Sequence, residues 1–466
     1  TATRALFAPP RAMSRSRGTV VSAVSSVPKG PEGTTTPADP ESAWTQRVIT
    51  LEPKSRGIFI WTDTLRASLP EMRDVRVGMV NLFLRSTTGA LTVNENCDPD
   101  VRTDMQNALE AIIPRDPRDA DEARAALVGC SLDLPVHDGR LALGTWQGLY
   151  VLASRAGPVE VVATLVDMPR EDSRSGATNV KLPAPSRGCH LVRDALPIAD
   201  APASSPEEGA SLLNVLVKHT SASVTASDAS DPRVGSALET ALSALVPESW
   251  NYPGGAVTFR HTDEGDDDMP AHVKSTLVGV SLTLPGKPGG GFSAGPTRGV
   301  FLCEHRSGGG FGGSGATRDA VVTRVRSKKG RAVVLTIDTR ASGAGCVDVT
   351  EALRGVLEHD DDPAKENVDA GVANVFARSA SASFVVGSAE EGFGAFFTRA
   401  LDDAVTAGPN DEDSALRAHA KSTLTSVSLT LPVSRGTLAL GDGQAVFLCE
   451  HGSGGAREMV VTVCGD

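Results

Sequence analysis

The chain has 466 residues, 40% of them apolar and 4% aromatic, with a formal net charge of -12. That length suits about three domains of ordinary size, and the acidic balance argues against a general binder of nucleic acid or anionic membrane. No apolar run approaches the roughly 20 residues needed to span a bilayer, so a soluble protein is expected.

Residues 1–28 carry Arg4, Arg11, Arg15 and Arg17 among several serines, and no acid precedes Glu32. This composition fits an organelle transit peptide, chloroplast or mitochondrial, within residues 1–44. A tail of no fixed structure on a cytoplasmic protein is the plainer alternative.

The first strand pattern alternates over 80–84, and a helix follows over 100–113, with Val101, Met105, Leu109 and Ile112 on one face. Next comes Ser131-Leu132-Asp133-Leu134-Pro135, which returns as Ser281-Leu282-Thr283-Leu284-Pro285 and as Ser428-Leu429-Thr430-Leu431-Pro432. Upstream, His272-Val273-Lys274-Ser275-Thr276-Leu277 matches His419-Ala420-Lys421-Ser422-Thr423-Leu424. Downstream, Phe301-Leu302-Cys303-Glu304-His305 matches Phe447-Leu448-Cys449-Glu450-His451, with Tyr150-Val151-Leu152-Ala153-Ser154 as a decayed version. Val161-Val162, Val321-Val322 and Val460-Val461 mark a closing strand in each. Landmarks in fixed order define three tandem copies of one domain, over 45–168, 176–326 and 329–466.

Within the second copy, strands are expected at 221–225 and 281–284, and helices at 231–245 and from Pro270, with Asp268 near the cap, to about Gly279. Strands outnumber helices and connections are short, which predicts an α+β domain on antiparallel sheet. The glycine-rich 307–315 lacks the ending of a phosphate-binding loop and reads as a surface loop. Seven cysteines without a Cys-x-x-Cys pair predict buried free thiols rather than a disulfide framework, although Cys303 and Cys449 fall at the same point of two copies.

The densest polar cluster is His261-Thr262-Asp263-Glu264-Gly265-Asp266-Asp267-Asp268-Met269-Pro270-Ala271-His272-Val273-Lys274, with His219 on a preceding strand. Three neutral imidazoles would suit Zn²⁺, and the carboxylates Mg²⁺ or Mn²⁺ on a phosphorylated substrate. His272, placed in the first turn of its helix, would be kept neutral by the dipole. An acidic loop capping a helix beside stray histidines is the bland alternative.

His219-Thr220-Ser221-Ala222-Ser223, the Glu264-Gly265 to Lys274 stretch and Cys303-Glu304-His305-Arg306 resemble the signatures of the YjbQ-type "secondary thiamine-phosphate synthase" family. So do Leu91-Thr92-Val93-Asn94-Glu95-Asn96, Asp98-Pro99-Asp100-Val101 and Gly144-Thr145-Trp146-Gln147-Gly148 of the first copy. The resemblance implies antiparallel β-sandwiches with helices, which in single-domain members form homotrimers. Here it implies one intramolecular pseudo-trimer, a monomer with internal threefold pseudosymmetry. It also implies a thiamine-phosphate synthase-like enzyme that joins a pyrimidine diphosphate to a thiazole phosphate.

No copy keeps the full set. The first has Ser86 for the signature histidine and lacks the acidic segment. The second has Ser227-Asp228-Ala229 for Asn-Glu-Asn and Thr297-Arg298 for Trp-Gln. The third has Ser379 for the histidine and Gly387-Ser388-Ala389 for Asn-Glu-Asn, keeping only His419, Lys421, Gln444 and Cys449-Glu450-His451. The first two have lost opposite halves, so a composite site between them is expected. His219, His261 and His272 would hold a divalent metal or share acid-base work, with Asp267 and Lys274 steering phosphate charge. Trp146 would stack on a heteroaromatic ring while Gln147 and Asn96 read its edges. Asn94, Glu95, Thr220, Ser221, Glu264, Gly265, Glu304, His305 and Arg306 would complete the substrate site. Metal-dependent phosphate-ester hydrolysis at the same residues and a non-catalytic scaffold or metal-binding pseudoenzyme are the alternatives.

Overall fold

The computed structural model describes residues 43–114, 119–168, 176–197, 209–252, 254–286, 294–295, 297–307, 317–327, 329–340, 343–358, 368–405 and 413–466. The arginine-containing segment up to residue 42, where a transit peptide is expected, and the glycine-rich stretch after Ser307 lie outside the described residues.

The first copy comprises β1 (Trp44–Leu51), β2 (Gly57–Ile60), α1 (Thr62–Ser68), β3 (Val77–Leu84), β4 (Ala90–Glu95), α2 (Pro99–Ile112), α3 (Ala120–Val128), β5 (Ser131–His137), β6 (Arg140–Leu141), β7 (Gln147–Ala153) and β8 (Val159–Asp167). The second comprises β9 (Gly176–Pro183), β10 (Gly188–Leu191), β11 (Ala210–Val217), β12 (Ala222–Asp228), α4 (Val234–Leu245), α5 (Asp268–Val278), β13 (Ser281–Pro285), β14 (Arg298–Glu304) and β15 (Thr317–Ser327). The third comprises β16 (Arg331–Asp338), β17 (Gly345–Asp348), α6 (Thr350–Leu357), β18 (Ala370–Ala377), β19 (Ala382–Ser388), α7 (Phe393–Ala404), α8 (Ser414–Leu424), β20 (Ser428–Ser434), β21 (Thr437–Leu438), β22 (Gln444–Glu450) and β23 (Ala456–Gly465).

Each copy is a pair of antiparallel sheets. The larger runs β1-β8-β3-β5-β6, β9-β15-β11-β13 and β16-β23-β18-β20-β21 in the three copies, and the smaller β2-β7-β4, β10-β14-β12 and β17-β22-β19. The first strand of each copy pairs with that copy's last strand. Helices of all three copies share one apolar cluster, including Met105, Leu109, Leu238, Val273, Phe397 and Leu416.

Local signals explain the elements. Asp98 accepts from the Asp100 amide at 2.8 Å, Pro99 begins α2, and Val101, Met105, Leu109 and Ile112 form its buried face. Helix α5 begins two residues before Pro270, at Asp268, and stops at Gly279, whose φ of 93° favours glycine. His272 therefore sits two residues further into the helix than expected, past its first turn. Strand β3 differs in burial: all of Val77–Leu84 is buried, not alternate residues. Neighbouring copies cover the face that a lone domain would leave to solvent, since β3 also touches β15 and β20.

The repeated Ser-Leu-x-Leu-Pro strands meet where the three copies converge. Ser131 Oγ donates to the Thr430 carbonyl at 2.5 Å, Ser428 Oγ to the Thr283 carbonyl at 2.5 Å, and Ser281 Oγ to the Asp133 carbonyl at 2.6 Å. This closed cycle is the pseudo-threefold axis. Asp133 Oδ2 accepts from Thr283 Oγ1 at 2.6 Å and Thr430 Oγ1 at 2.5 Å. These are the equivalent positions of the other two copies.

The cysteines are a correction. Cys346 and Cys449, opposite each other on β17 and β22, form a disulfide. Cys97, Cys130, Cys189, Cys303 and Cys464 are free thiols as expected, all buried except Cys97. The bridging pair lies 103 residues apart in sequence, so no local spacing announced it.

Candidate functional site between the first and second copies

The junction of the first two copies is built from the end of β4, the start of α2, the loop before α5, and α5 itself. Asn94 of β4 donates through Nδ2 to the His272 carbonyl at 2.9 Å and to Thr276 Oγ1 at 2.8 Å. Its Oδ1 faces His272 Nδ1 at 2.8 Å. An amide oxygen only accepts, so His272 presents an Nδ1–H to Asn94 and turns Nε2 inward. There Nε2 lies 3.3 Å from Glu95 Oε2 and 3.5 Å from Asp268 Oδ2.

His261 is held in the same manner. Its Nδ1 contacts Asp98 Oδ2 at 2.6 Å and its Nε2 contacts Asp268 Oδ2 at 2.8 Å. One carboxylate thus caps α2 of the first copy and grips an imidazole of the second. Asp104, buried on α2, accepts from the amides of Arg260 and His261 at 2.6 and 2.9 Å and pins that loop. Hydrogen bonding to Asp268 leads, outweighing burial, and with Asp98 it raises the His261 pKa to about 9. Burial pushes the Asp268 carboxyl up, but hydrogen bonds from His261 and His272 and the charge of Arg306 hold it well below the usual range.

Arg306 joins the remaining acids. It pairs with Asp268 at 2.6 Å, Glu264 at 3.0 Å and Asp267 at 3.4 Å. Gly265, at φ of 111°, turns the loop here. Glu304 accepts from the Arg306 amide and from Arg318 Nε at 3.1 and 2.5 Å. His219 Nδ1 accepts from the Ser221 amide at 3.2 Å. Burial, with Arg318, His272 and Arg306 nearby, lowers its pKa to about 4. Gln147 donates to the carbonyls of Val217 and His219 at 3.0 and 2.9 Å. Asn96 Nδ2 donates to the Gln147 carbonyl at 2.9 Å, and the Asn96 amide to the Trp146 carbonyl at 2.8 Å. Together they fix the loop that leaves Trp146 61% exposed.

Several expected roles need correction. The metal-compatible group among the described residues is Glu95, His261 and His272, whose ligand atoms lie within 4.8 Å of one another; Glu95 stands where His219 was expected. Asp268, not Asp267, touches both imidazoles, because α5 starts at that residue. Lys274 points away. It is wholly buried, donates to Ser243 Oγ at 3.0 Å and lies 3.7 Å from Glu239, with burial lowering its pKa to about 8. His305 is also wholly buried, against Ser223 Oγ at 2.8 Å. Gln147 spends its amide on the neighbouring copy's backbone and has none left for a ring edge. No hydrogen bond is described for the Thr220 side chain, while Ser221 holds the His219 ring. Asp98 and Asp104 were missed. Asp98 stands in the signature stretch Asp98-Pro99-Asp100-Val101 without an expected role, and Asp104 shows in the sequence only as a polar residue inside a helix.

The other junctions keep the clasp without the chemistry. Arg298 and Gln444, at the position of Gln147, donate to Ala377 O at 2.7 Å and to Leu84 O at 3.1 Å. Asp228 and His419 remain at the second junction, but Arg298 brings a guanidinium among them, and His419 Nδ1 has no partner among the described residues.

The fold and site define a three-domain α+β protein of antiparallel sandwiches, joined in a ring, with one histidine-carboxylate centre among the described residues, shared by two domains. The UPF0047 protein YjbQ-like family model matches residues 47–166, 182–327 and 334–466, and the chain belongs to that family. It is 39% identical to UPF0047 protein YjbQ of Escherichia coli O157:H7 over 134 residues, 26% of this chain and 97% of that protein. It is 36% identical to UPF0047 protein YugU of Bacillus subtilis over 81 residues, 16% of this chain and 61% of that one. Among solved structures, a YjbQ/UPF0047-family protein of Clostridium acetobutylicum matches at 28% identity and a TM-score of 0.24, over 26% of this chain and 99% of that one.

Proposed function

We propose that this chain is an enzyme with one active centre per molecule, at the junction of the first and second copies, acting on a phosphorylated heteroaromatic substrate. The observation that carries this reading is the matched orientation of His261 and His272. Each has Nδ1 held by an outer partner, Asp98 or Asn94, and turns Nε2 toward Glu95 and Asp268. Outer partners of this kind orient imidazoles that bind a divalent cation. Glu95, His261 and His272 would hold Zn²⁺, Mg²⁺ or Mn²⁺, which when bound supplies charge neutralisation for phosphate oxygens. Trp146, exposed next to Asn96, offers a stacking face for a heteroaromatic ring.

The reaction we assign is of the thiamine-phosphate synthase type, a pyrimidine diphosphate joined to a thiazole phosphate with release of pyrophosphate. A second reading, hydrolysis of a phosphate ester at the same residues, is favoured by His219. Its pKa of about 4 keeps the imidazole neutral near pH 7, where it can hold an attacking water by a hydrogen bond.

The test pairs metal analysis with a pyrophosphate-release assay on wild type and Glu95→Gln. One metal per chain and product formation in the wild type, both lost in the variant, would support the transferase. Phosphate release without condensation would favour the hydrolase. Metal binding without turnover of either substrate class would leave a metal-binding pseudoenzyme and sink the enzymatic reading.

A further inference from the structure

The second copy holds a cysteine pair that repeats the geometry of the third copy's disulfide. Cys189 of β10 lies opposite Cys303 of β14, just as Cys346 of β17 lies opposite Cys449 of β22. In both copies the adjacent register pair is a glycine facing a glutamate, Gly188 with Glu304 and Gly345 with Glu450. The first copy has Ile58 facing Leu152 at this position, an apolar pair with no redox chemistry. Cys346 and Cys449 are bonded, while Cys189 and Cys303 are free thiols.

We infer that Cys189 and Cys303 are a site of reversible oxidation, closing a second cross-strand disulfide on reaction with a small-molecule disulfide of the glutathione type. The order of attack follows from exposure. Strand β10 is the edge of its three-stranded sheet, and Cys189 is 7% exposed whereas Cys303 is fully buried. An edge strand can lift from its single neighbour without breaking the sheet.

The Cys189 thiolate attacks one sulfur of the small disulfide and releases the first thiol. The Cys303 thiolate then displaces the second from the mixed disulfide. Two protein S–H bonds and one small-molecule S–S bond become one protein S–S bond and two small-molecule S–H bonds. Two electrons pass to the small disulfide, and the protons go to the departing thiolates. The hydrogen bond that the Cys189 S–H donates to the Cys303 sulfur, followed by burial, pushes the Cys189 thiol well above its ordinary pKa, so the exchange is slow at neutral pH and faster at alkaline pH. The bond would staple β10, on which α4 rests through Gly235 against the Cys189 carbonyl, to the centre of the sheet.

The experiment uses the full chain incubated with oxidised glutathione, quenched, unfolded in iodoacetamide and mapped by mass spectrometry without reduction. Labelled thiols should fall at Cys189 and Cys303 together, with a cross-linked peptide joining them. Exposed Cys97 should take up glutathione and so report that the oxidant is active. Cys303→Ser should leave Cys189 labelled or glutathionylated and remove the cross-link. Full labelling of both Cys189 and Cys303 in a sample where Cys97 is glutathionylated would overturn the inference. So would a cross-link from either to Cys97, Cys130 or Cys464.

Discussion

Asn94 and His272 hold each other twice across the boundary between two copies, through Oδ1 and the ring Nδ1 at 2.8 Å and through Nδ2 and the backbone carbonyl at 2.9 Å. One side chain therefore fixes both the tautomer and the position of the imidazole. Asn94→Ala should weaken divalent-metal binding by about 10–100-fold, the usual effect of losing an outer partner, measurable by isothermal titration calorimetry. Nitrogen-15 shifts of His272 should show a fully protonated Nδ1 in wild type and a partly protonated one in the variant. Unchanged affinity and tautomer would show that Asn94 only glues the junction.

The acid-imidazole chain sets a pH window. The pKa of His261 rises from 6.5 to about 9 in the fold, led by its hydrogen bond to Asp268 and helped by Asp98. Its stabilising contribution is therefore fully present below about 6.5 and is lost as pH rises through about 9. Asp268 is shifted downward, so its contribution is fully present above the ordinary carboxylate range near 4 and is lost progressively as pH falls below that range through its lowered folded value. Thermal melts across pH should show both slopes, and Asp98→Asn should flatten the alkaline one. An alkaline limb identical in Asp98→Asn would contradict this account.

Asp133 accepts hydroxyl hydrogen bonds from Thr283 and Thr430 and an amide bond from Asn81 at 2.8 Å. Asn81 keeps Ser131 Oγ at 3.2 Å, so Asp133→Ala strands the two buried hydroxyls and should cost about 2–6 kcal/mol of unfolding free energy, at about 1–3 kcal/mol per unsatisfied group. Asp133→Thr copies the residue at the other two positions and should be much milder. Chemical denaturation of the two variants decides it, and equal loss in both would argue that the carboxylate itself is required.

Trp146 and Gln147 are neighbours with opposite roles. Trp146→Ala removes an exposed ring, so stability should stay within about 0.5 kcal/mol while affinity for a heteroaromatic phosphate falls. Gln147→Ala breaks bonds to Val217 and His219 and should lower the melting temperature, much as Gln444→Ala should at the third junction. Substrate affinity undisturbed in Trp146→Ala would remove the stacking role.

His419 occupies the place of His272 at the next junction, where Arg298 has brought a positive charge. His419→Ala should leave metal stoichiometry at one per chain. A drop would mean that a second centre survives there.

Three in-order landmarks, a Ser-Leu-x-Leu-Pro strand, a helix before it and a closing valine strand, made the triplication, the antiparallel α+β class and the complementary losses readable from the chain alone. These features are periodic or local, and local sequence encodes them directly. What the fold decided is which side chains meet. Asn94 and His272 are 178 residues apart and His261 and Asp98 are 163 apart, so no spacing rule could pair them. Packing places Asp268 rather than Asp267 against both imidazoles and buries Lys274 in the interior. Residue order records which groups each copy has kept. Only the packing of one copy's strand end against the next copy's helix determines which lone pairs share a centre.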